Sequence, residues 1–479
     1  QSTSATYPNV LILDYMEATD YDAPEAQLQA ETYIATGYQR LLTFEVDGGG
    51  FSLFGQPPAD PFLTAYGLME FTDMAAVYPV DEAMIERTAR WLLARQQADG
   101  SWADQAYTEH FHIDSEVPTT AYITWALIEA GYGDTAEVGR AIGMLRESAL
   151  SQEDAYSLAL VANGLAAYDP DDSMTEAVLD RLYEMRREDG GAVFWQPAVA
   201  SFMGGSGESG ALETTALAAM ALMRGDRHQD AVSGALTYLV QGKDSWGTWQ
   251  TTQATILSLK ALLTAAEQGG AAEGPATVRV SLNKEQTAEI VIDEGNADVV
   301  HLVTFDRGFS PTGANRVQIE LGDGEGGNLM YQVATRYYVP WEMVAPDPQV
   351  EPLMDIDVAY DRTSLAVNDE VTMAVEARLR KSGVVKMALI DLGVPPGFDV
   401  LTEDLARLVA QGVIARYELT GRQVIVYVED LSSEAPLRFS LRLRARFPLR
   451  AQTGPSSAYD YYNPESVAVR GPVEMTVVE

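Results

Sequence analysis

Four histidines occur in 479 residues, and one of them stands in a stretch suited to nucleophilic or proton-transfer work. His110 closes the run Gly100-Ser101-Trp102-Ala103-Asp104-Gln105-Ala106-Tyr107-Thr108-Glu109, and His112 lies two residues on, able to take its place if the loop shifts. An imidazole is largely unprotonated at neutral pH, so it can attack a carbonyl or accept a proton. The competing reading is a surface-loop histidine beside an acidic residue. His228, in a turn, and His301, in a β-segment, read as structural. Cysteine is absent, so this chain supplies no thiolate nucleophile, no disulfide and no cysteine-ligated zinc. Glu116, Glu213 and Gln253 sit at or just before the starts of apolar helices, where a carboxylate or amide caps orphan N–H groups and complements the helix dipole. A second reading has them lining a depression on which those helix N-termini converge.

The elements that must position these groups fall into two halves. From Tyr7 to about Gln268 apolar residues recur at helical spacing, in segments separated by Gly, Pro and Asp-rich turns. Beyond Gly274 the period becomes two, as in Thr277-Val278-Arg279-Val280-Ser281-Leu282 and in Glu289 to Ile292, so the second half is mostly β. Residues 269–275 and 344–348 read as linkers. The helical half repeats itself. Asp-Gly or Asp-initiated turns with an aromatic recur at Asp47 to Phe51, Asp99 to Trp102, Asp189 to Trp195 and Asp244 to Trp249, with the first and last pairs each roughly 50 residues apart, the length of a helical hairpin. A second repeat opens alternate helices: Leu63-Thr64-Ala65-Tyr66, Thr119-Thr120-Ala121-Tyr122, Ala155-Tyr156-Ser157-Leu158, Thr214-Thr215-Ala216-Leu217 and Gln253-Ala254-Thr255-Ile256. The hydroxyls are expected to satisfy N–H groups of their own first turn, and the small residues to allow close approach. Helices apolar nearly all round must be buried on most sides. An α/α toroid of hairpins, inner helices alternating with outer ones, achieves this.

The totals narrow the partners. Seventy acidic against 32 basic residues give a formal charge of −38, which repels phosphate over most of the surface and argues against nucleic acid or an anionic membrane. No apolar run approaches the roughly 20 residues of a membrane span, and no signal-like segment opens the chain. The chain opens at Gln1 without an initiator Met, and is expected to be a fragment or processed product.

With these motifs in place, the chain resembles the thioester domain of the alpha-2-macroglobulin and complement family. There a Cys-X-Glu-Gln motif forms an internal thioester, followed by an aromatic, Pro-Asn and an apolar stretch ending Leu-Asp-Tyr. This sequence reads Gln1-Ser2-Thr3-Ser4-Ala5-Thr6-Tyr7-Pro8-Asn9-Val10-Leu11-Ile12-Leu13-Asp14-Tyr15, which puts Gln1 on the acyl-donor glutamine. Further matches follow in family order: Thr36-Gly37-Tyr38-Gln39-Arg40, Gly50-Phe51-Ser52-Leu53-Phe54-Gly55, Leu63 to Tyr66, Trp91-Leu92 with Gln96-Gln97, Glu213 to Ala216 and Thr252 to Thr255. Val394-Pro395-Pro396-Gly397-Phe398 and Pro455 to Pro464 look like the receptor-binding domain of the same proteins. The resemblance implies a helical toroid thioester domain over 1–270, part of a CUB-like β-domain over 275–345 and a receptor-binding β-sandwich over 349–479.

The motif's Cys and Glu are missing, because the chain begins at the motif's last residue. Three origins stay open: the chain simply starts here, the upstream residues are on a separate chain, or autolysis closed a pyroglutamyl ring at Gln1 and cleaved the preceding bond. The resemblance further implies that His110 attacks the exposed thioester and passes the acyl group to a hydroxyl, and that Tyr459, Tyr461 and Tyr462 shield the thioester before activation; the alternative for the tyrosines is ordinary sandwich packing. It implies a bacterial macroglobulin-type inhibitor, not an enzyme, which traps proteases and links to them, with no cofactor beyond the internal thioester. Its partners would be proteases and upstream macroglobulin-like domains, in a periplasmic or extracellular setting, with any membrane anchor upstream. The alternatives are a complement-like opsonin coupling to surface hydroxyls and, in a different class, a toroid enzyme such as a terpenoid cyclase. Asp169-Pro170-Asp171-Asp172 matches the cyclase acid pattern, but it precedes Ser173-Met174-Thr175-Glu176, where helix-start chemistry accounts for the acids.

Overall fold

Eleven helices are described between Ser2 and Gln268: α1 (Ser2–Ala18), α2 (Pro24–Leu42), α3 (Pro61–Val77), α4 (Glu82–Leu93), α5 (Glu116–Leu127), α6 (Ala136–Ser148), α7 (Ala155–Tyr168), α8 (Ser173–Glu184), α9 (Gly207–Arg224), α10 (Gln229–Gln241) and α11 (Thr252–Gln268). The computed structural model describes residues 2–18, 23–46, 48–53, 55–103, 116–244, 248–268, 276–293, 301–310, 313–322, 331, 333–335, 337, 339–343 and 352–479. Gln1, His110, His112 and both expected linkers lie outside the described residues.

Two burial patterns explain the layering. In α5 ten of twelve residues are buried and in α7 twelve of fourteen, so these helices have protein on every side. In contrast α8 buries Thr175, Val178, Leu179 and Leu182, one stripe at i, i+3, i+4 and i+7. The odd-numbered helices form the inner layer. α1 packs on α3, α3 on α5 and α5 on α7; the buried Asn163 of α7 donates to the Leu217 carbonyl of α9 at 2.8 Å; and α11 packs back on α1. Each even-numbered helix lies outside, α2 on α1, α4 on α3, α6 on α5, α8 on α7 and α10 on α11. This is the expected toroid.

The two sequence repeats bond to each other. The short hairpins β1 (Glu45–Val46) with β2 (Gly50–Phe51), and β3 (Arg187–Asp189) with β4 (Ala192–Phe194), carry two of the aromatic turns. The backbone N–H of Phe51 donates to Thr64 Oγ1 at 2.9 Å, that of Trp102 to Thr120 Oγ1 at 3.1 Å, and that of Trp195 to Thr215 Oγ1 at 3.1 Å. The hydroxyls of Thr64, Thr120 and Thr215 therefore accept from the turn aromatics, where the sequence suggested N–H groups of their own first turn. That work falls to acidic residues one step earlier: Asp60 accepts from Leu63 N and Asp154 from Ser157 N. The threonines sit too deep, past the cap position, and the nearest buried orphan donor is the turn aromatic. The indoles of Trp102 and Trp195 donate in turn to the carbonyls of Leu92 and Leu182. Asp172 accepts from Met174 N and caps α8, so the acid run at 169–172 has the helix-start role read for it.

The β-elements follow. β5 (Ala276–Leu282), β6 (Gln286–Ile292) and β7 (Val317–Leu321) form an antiparallel sheet in the order β6-β5-β7, its hairpin turning through Asn283 and Lys284 at φ 52° and 64°. His301 lies in an irregular segment and not in a strand. The last part contains β8 (Met354–Tyr360), β9 (Ser364–Ala366), β10 (Glu370–Leu379), β11 (Val384–Gly393), β12 (Phe398–Val400), α12 (Thr402–Ala410), β13 (Arg416–Leu419), β14 (Gln423–Ser432), β15 (Leu437–Ala445), β16 (Leu449–Gln452), β17 (Ser456–Asp460), β18 (Asn463–Arg470) and β19 (Glu474–Val478). Sheets β12-β15-β10-β8 and β13-β14-β11-β17-β18 enclose one core that includes Val371, Met373, Ile390, Val426 and Leu443. A small third sheet, β16-β19-β9, contains the parallel pair β19 and β9.

The chain divides into two compact units, Gln1–Val199 with Ala211–Lys243 and Thr252–Ala334, and Ala200–Gly210 with Asp244–Thr251 and Thr335–Glu479. The segment Ala200–Gly210, which includes the first residues of α9, thus belongs with the sandwich.

Candidate functional site

In the first unit, α1 is the segment that follows the expected acyl donor, and it is an inner helix with Tyr7, Val10, Leu11 and Leu13 buried. Its polar side chains meet partners on the two inner helices that flank it, α3 and α11. Tyr7 hydroxyl donates to Asp73 Oδ2 of α3 at 2.5 Å, and Lys260 of α11 donates to the same carboxylate at 2.7 Å and to Tyr7 at 3.3 Å. Ser4 and Thr252 hydroxyls lie 2.7 Å apart, joining the opening turns of α1 and α11. Burial, with Asp73 beside it, pushes the Tyr7 phenol up, so it remains a donor throughout the neutral range.

A second polar group lies one turn along α3. Glu70 is 1% exposed, and its Oε1 has no hydrogen-bond partner among the described residues. Burial pushes this carboxyl up to about 8; a hydrogen bond with Thr3 of α1 pulls it down, and the Asp73 charge adds to the rise. Tyr66, four residues earlier, is buried with an unpartnered hydroxyl, and Glu70 and Glu213 both add to the upward shift that burial imposes on it. Tyr122 of α5 is raised by burial and by Asp73 and Glu70. Phe62 packs against both Tyr66 and Tyr122, at 6.3 and 4.9 Å between ring centroids, so the cluster is dry on that side.

Of the three pocket candidates, Glu213 is 1% exposed in the second turn of α9, not at its start. The cap reading fails for it because α9 begins at Gly207, well before the apolar run. Gln253 is the second residue of α11, nearly buried, with Oε1 unpartnered. Glu116 is exposed at the first position of α5 and faces Gln97 Nε2 at 3.5 Å. The interior thus brings Glu213 to Tyr66, and Gln253 follows the Thr252 that meets Ser4, while Glu116 stands at the surface. Glu70, Tyr66, Asp73 and Lys260 were missed by sequence reading. The available signal was a lone glutamate in the run Phe62 to Phe71, a charge where an all-round apolar helix has no reason for one.

In the second unit the three tyrosines separate. Tyr459 lies on β17 opposite Leu389 of β11, while Tyr461 and Tyr462 form the turn into β18 and their rings meet edge to face at 5.2 Å. Burial pushes the phenols of Tyr459 and Tyr462 up to about 12. Tyr462 rests on Gly204, where a Cβ would come within 3.2 Å of the ring. Next to it Asn463 Oδ1 accepts from Ser206 N at 2.8 Å and Ser206 Oγ at 2.7 Å, and Ser209 Oγ donates to the Tyr462 carbonyl at 3.2 Å. Glu465 takes a backbone hydrogen bond from Glu208, so the sandwich supplies a carboxylate to the N-terminus of α9. Tyr461 and Tyr462 therefore belong to a turn that grips Ala200–Gly210, and Tyr459 is a strand residue.

A toroid of helical hairpins with a dry polar centre, followed by β-domains, defines the class: a thioester-type domain with its sandwich. The chain belongs to the A-macroglobulin family, matching the A-macroglobulin TED domain over residues 1–264 and the A-macroglobulin receptor binding domain over residues 383–471. Ovostatin from Gallus gallus is 23% identical over 96% of this chain and 32% of its own length. An allele of thioester-containing protein 1 from Anopheles gambiae is 25% identical over 97% of this chain and 34% of its own. The chain thus spans about a third of the length of these relatives. Native alpha-2-macroglobulin from Escherichia coli superposes with a TM-score of 0.64 at 16% identity, covering 100% of this chain and 73% of that one. Salmonella alpha-2-macroglobulin reacted with methylamine gives 0.64 at 16%, covering 100% and 30%. At these identities the likeness carries the fold. No helix among the described residues is long and apolar enough to cross a membrane.

Proposed function

We propose that this chain is the C-terminal part of a bacterial alpha-2-macroglobulin-like inhibitor that traps proteases and links them through an internal thioester, with Gln1 as acyl donor. The three-part division at 1–270, 275–345 and 349–479 is part of the same reading. The observation that carries it is the match to the family's thioester domain, which begins at Gln1 and runs into the buried inner helix α1. In the intact protein a cysteine three positions upstream would hold the acyl carbon of Gln1. An amine of the trapped protease attacks that carbon; the C–N bond forms, the C–S bond breaks, and the thiolate leaves with the electron pair and takes up the amine's proton. Burial of the acyl group against apolar surface keeps water out until a conformational change. Tyr461 and Tyr462, in the turn whose Tyr462 rests on Gly204, are the proposed shield of the thioester, and the strand position of Tyr459 suits packing. Glu213 and Gln253 suit the pocket. The setting proposed is periplasmic or extracellular, with proteases and upstream macroglobulin-like domains as partners and any anchor upstream.

A second reading, an opsonin that couples to surface hydroxyls, rests on His110, whose imidazole would form an acyl-imidazole and pass the acyl group to a hydroxyl. The test is treatment of the full-length protein with an active protease, followed by denaturing electrophoresis. A covalent protease adduct that methylamine pretreatment abolishes is expected. Adducts unaffected by methylamine, or none at all, would overturn the inhibitor reading.

A further inference from the structure

The grip of the sandwich on Ala200–Gly210 contains one group that works against it. Asn463 and Asp460 are fully engaged: Asn463 Oδ1 takes both donors of Ser206, its Nδ2 donates to Asp460 Oδ2 at 2.9 Å, and Asp460 Oδ1 accepts from Tyr462 N at 3.0 Å. Ser206, just before α9, thus spends its hydroxyl on the sandwich and not on capping the helix. Glu465, the third residue of β18, is placed differently. Its Oε1 lies against the start of α9, where a Cβ on Gly207 would come within 2.6 Å of it; Gly207 has φ 55°, so this close approach needs glycine twice over. Its Oε2 is buried and has no hydrogen-bond partner among the described residues.

Two effects compete at this carboxylate. The N-terminus of α9 favours a negative charge by a factor of roughly two to five. Shutting one oxygen of a charged carboxylate away from water without a partner costs about tenfold or more. The surroundings side with the cost. Glu208 on α9 and Asp460 on β17 are both acidic, and the phenol of Tyr462, raised to about 12, stays neutral. On β8, which also packs on β18, Asp355 and Asp357 take Arg380 and Arg470 as their partners. In accord with this, burial pushes the Glu465 carboxyl up, and the charges of Glu208 and Asp460 add to the rise.

We propose that Glu465 makes the hold on Ala200–Gly210 a releasable latch, its buried carboxylate weakening a contact that Asn463, Tyr462 and Ser206 would otherwise fix. Letting go returns Glu465 to water and frees the first turn of α9, while Ala211–Arg224 belongs to the helical unit. The latch is independent of the acyl-donor reading, because every contact in it lies within the sandwich unit. A carboxyl raised while the strap is held, and ordinary once it is released, stabilises the hold below about pH 4; that stability is lost as pH rises through the raised value.

The experiment is hydrogen exchange followed by mass spectrometry on the full-length protein, comparing the unmodified protein with Glu465→Gln at each pH between about 4 and 7, so that intrinsic exchange rates cancel. Glutamine keeps an acceptor at Oε1 and removes the charge. At pH 7 the amides of Ala200–Gly210 are expected to exchange about tenfold more slowly in the variant, with the ratio closing toward one near pH 4. Equal or faster exchange in the variant at pH 7 would show an ordinary helix cap and overturn the proposal, as would a ratio that does not change with pH. If Glu465→Gln does not fold, the unmodified protein serves: protection of Ala200–Gly210, corrected with the unfolded peptide, should fall between about pH 4 and 7. Protection that stays level or rises would overturn the latch.

Discussion

Replacing Thr120 by Val tests whether the toroid is held by the pairing of turn aromatics with inner-helix hydroxyls. Thr120 and Trp102 are both fully buried, and the Trp102 N–H has Thr120 Oγ1 at 3.1 Å as its acceptor. Valine keeps the shape and removes the acceptor, leaving a buried backbone N–H at a cost of about 2 kcal/mol. For a domain of this size the transition should fall by roughly 4 to 8 °C. Serine keeps the oxygen and removes a methyl, at a cost of about 1 kcal/mol. Thermal unfolding followed by tryptophan fluorescence is a direct readout, since Trp102, Trp195 and Trp249 are buried. Serine should therefore outperform valine at Thr120, and likewise at Thr64 and Thr215, which take the N–H groups of Phe51 and Trp195. Valine variants as stable as the serine ones at all three positions would refute the donor-satisfaction account and leave simple packing.

Further outcomes follow from the same structure. Asp404, buried, accepts from Arg442 Nε at 2.9 Å and from the Arg442 backbone at 3.0 Å, and the Arg442 guanidinium holds its carboxyl at about 2. A folded pKa below the unfolded one stabilises above about pH 4, and that stability is lost as pH falls toward 2. Asp404→Asn should thus cost about 2 kcal/mol at pH 7, with the gap to the parent closing in acid; a gap independent of pH contradicts the assignment. Asn463→Ala removes the acceptor of two Ser206 donors, so hydrogen exchange across Ala200–Gly210 should quicken several-fold; unchanged protection would show that the grip lies elsewhere. In the full-length protein His110→Ala should lose coupling to glycerol while keeping coupling to methylamine, and equal loss of both would remove the acyl-imidazole step.

Much of the fold was legible because its signals are local. The twin repeats marked helical hairpins, the all-round apolar runs at Thr120 to Ala130 and Thr215 to Met223 marked inner helices, and period two marked β5 and β6. What the repeats do to each other was not legible: the Thr120 hydroxyl and the Trp102 N–H are separated along the chain, and only the ring brings them together. The same limit hid the membership of Ala200–Gly210 in the sandwich unit, which depends on Asn463 and Tyr462 far along the chain. Glu213 misled because its apolar neighbours look like a helix start, although α9 already runs from Gly207. Glu70 was overlooked because one acid in an acidic protein draws no notice until its burial is known.

The most direct measurement is the intact mass of the native full-length protein before and after methylamine. Joining the Gln1 side chain to a thiol expels one ammonia, so the native mass should fall short of the encoded sequence by one ammonia. Methylamine should then add once, at the peptide containing Gln1, with one thiol appearing. A native mass equal to that of the encoded sequence, with no uptake, would contradict the account.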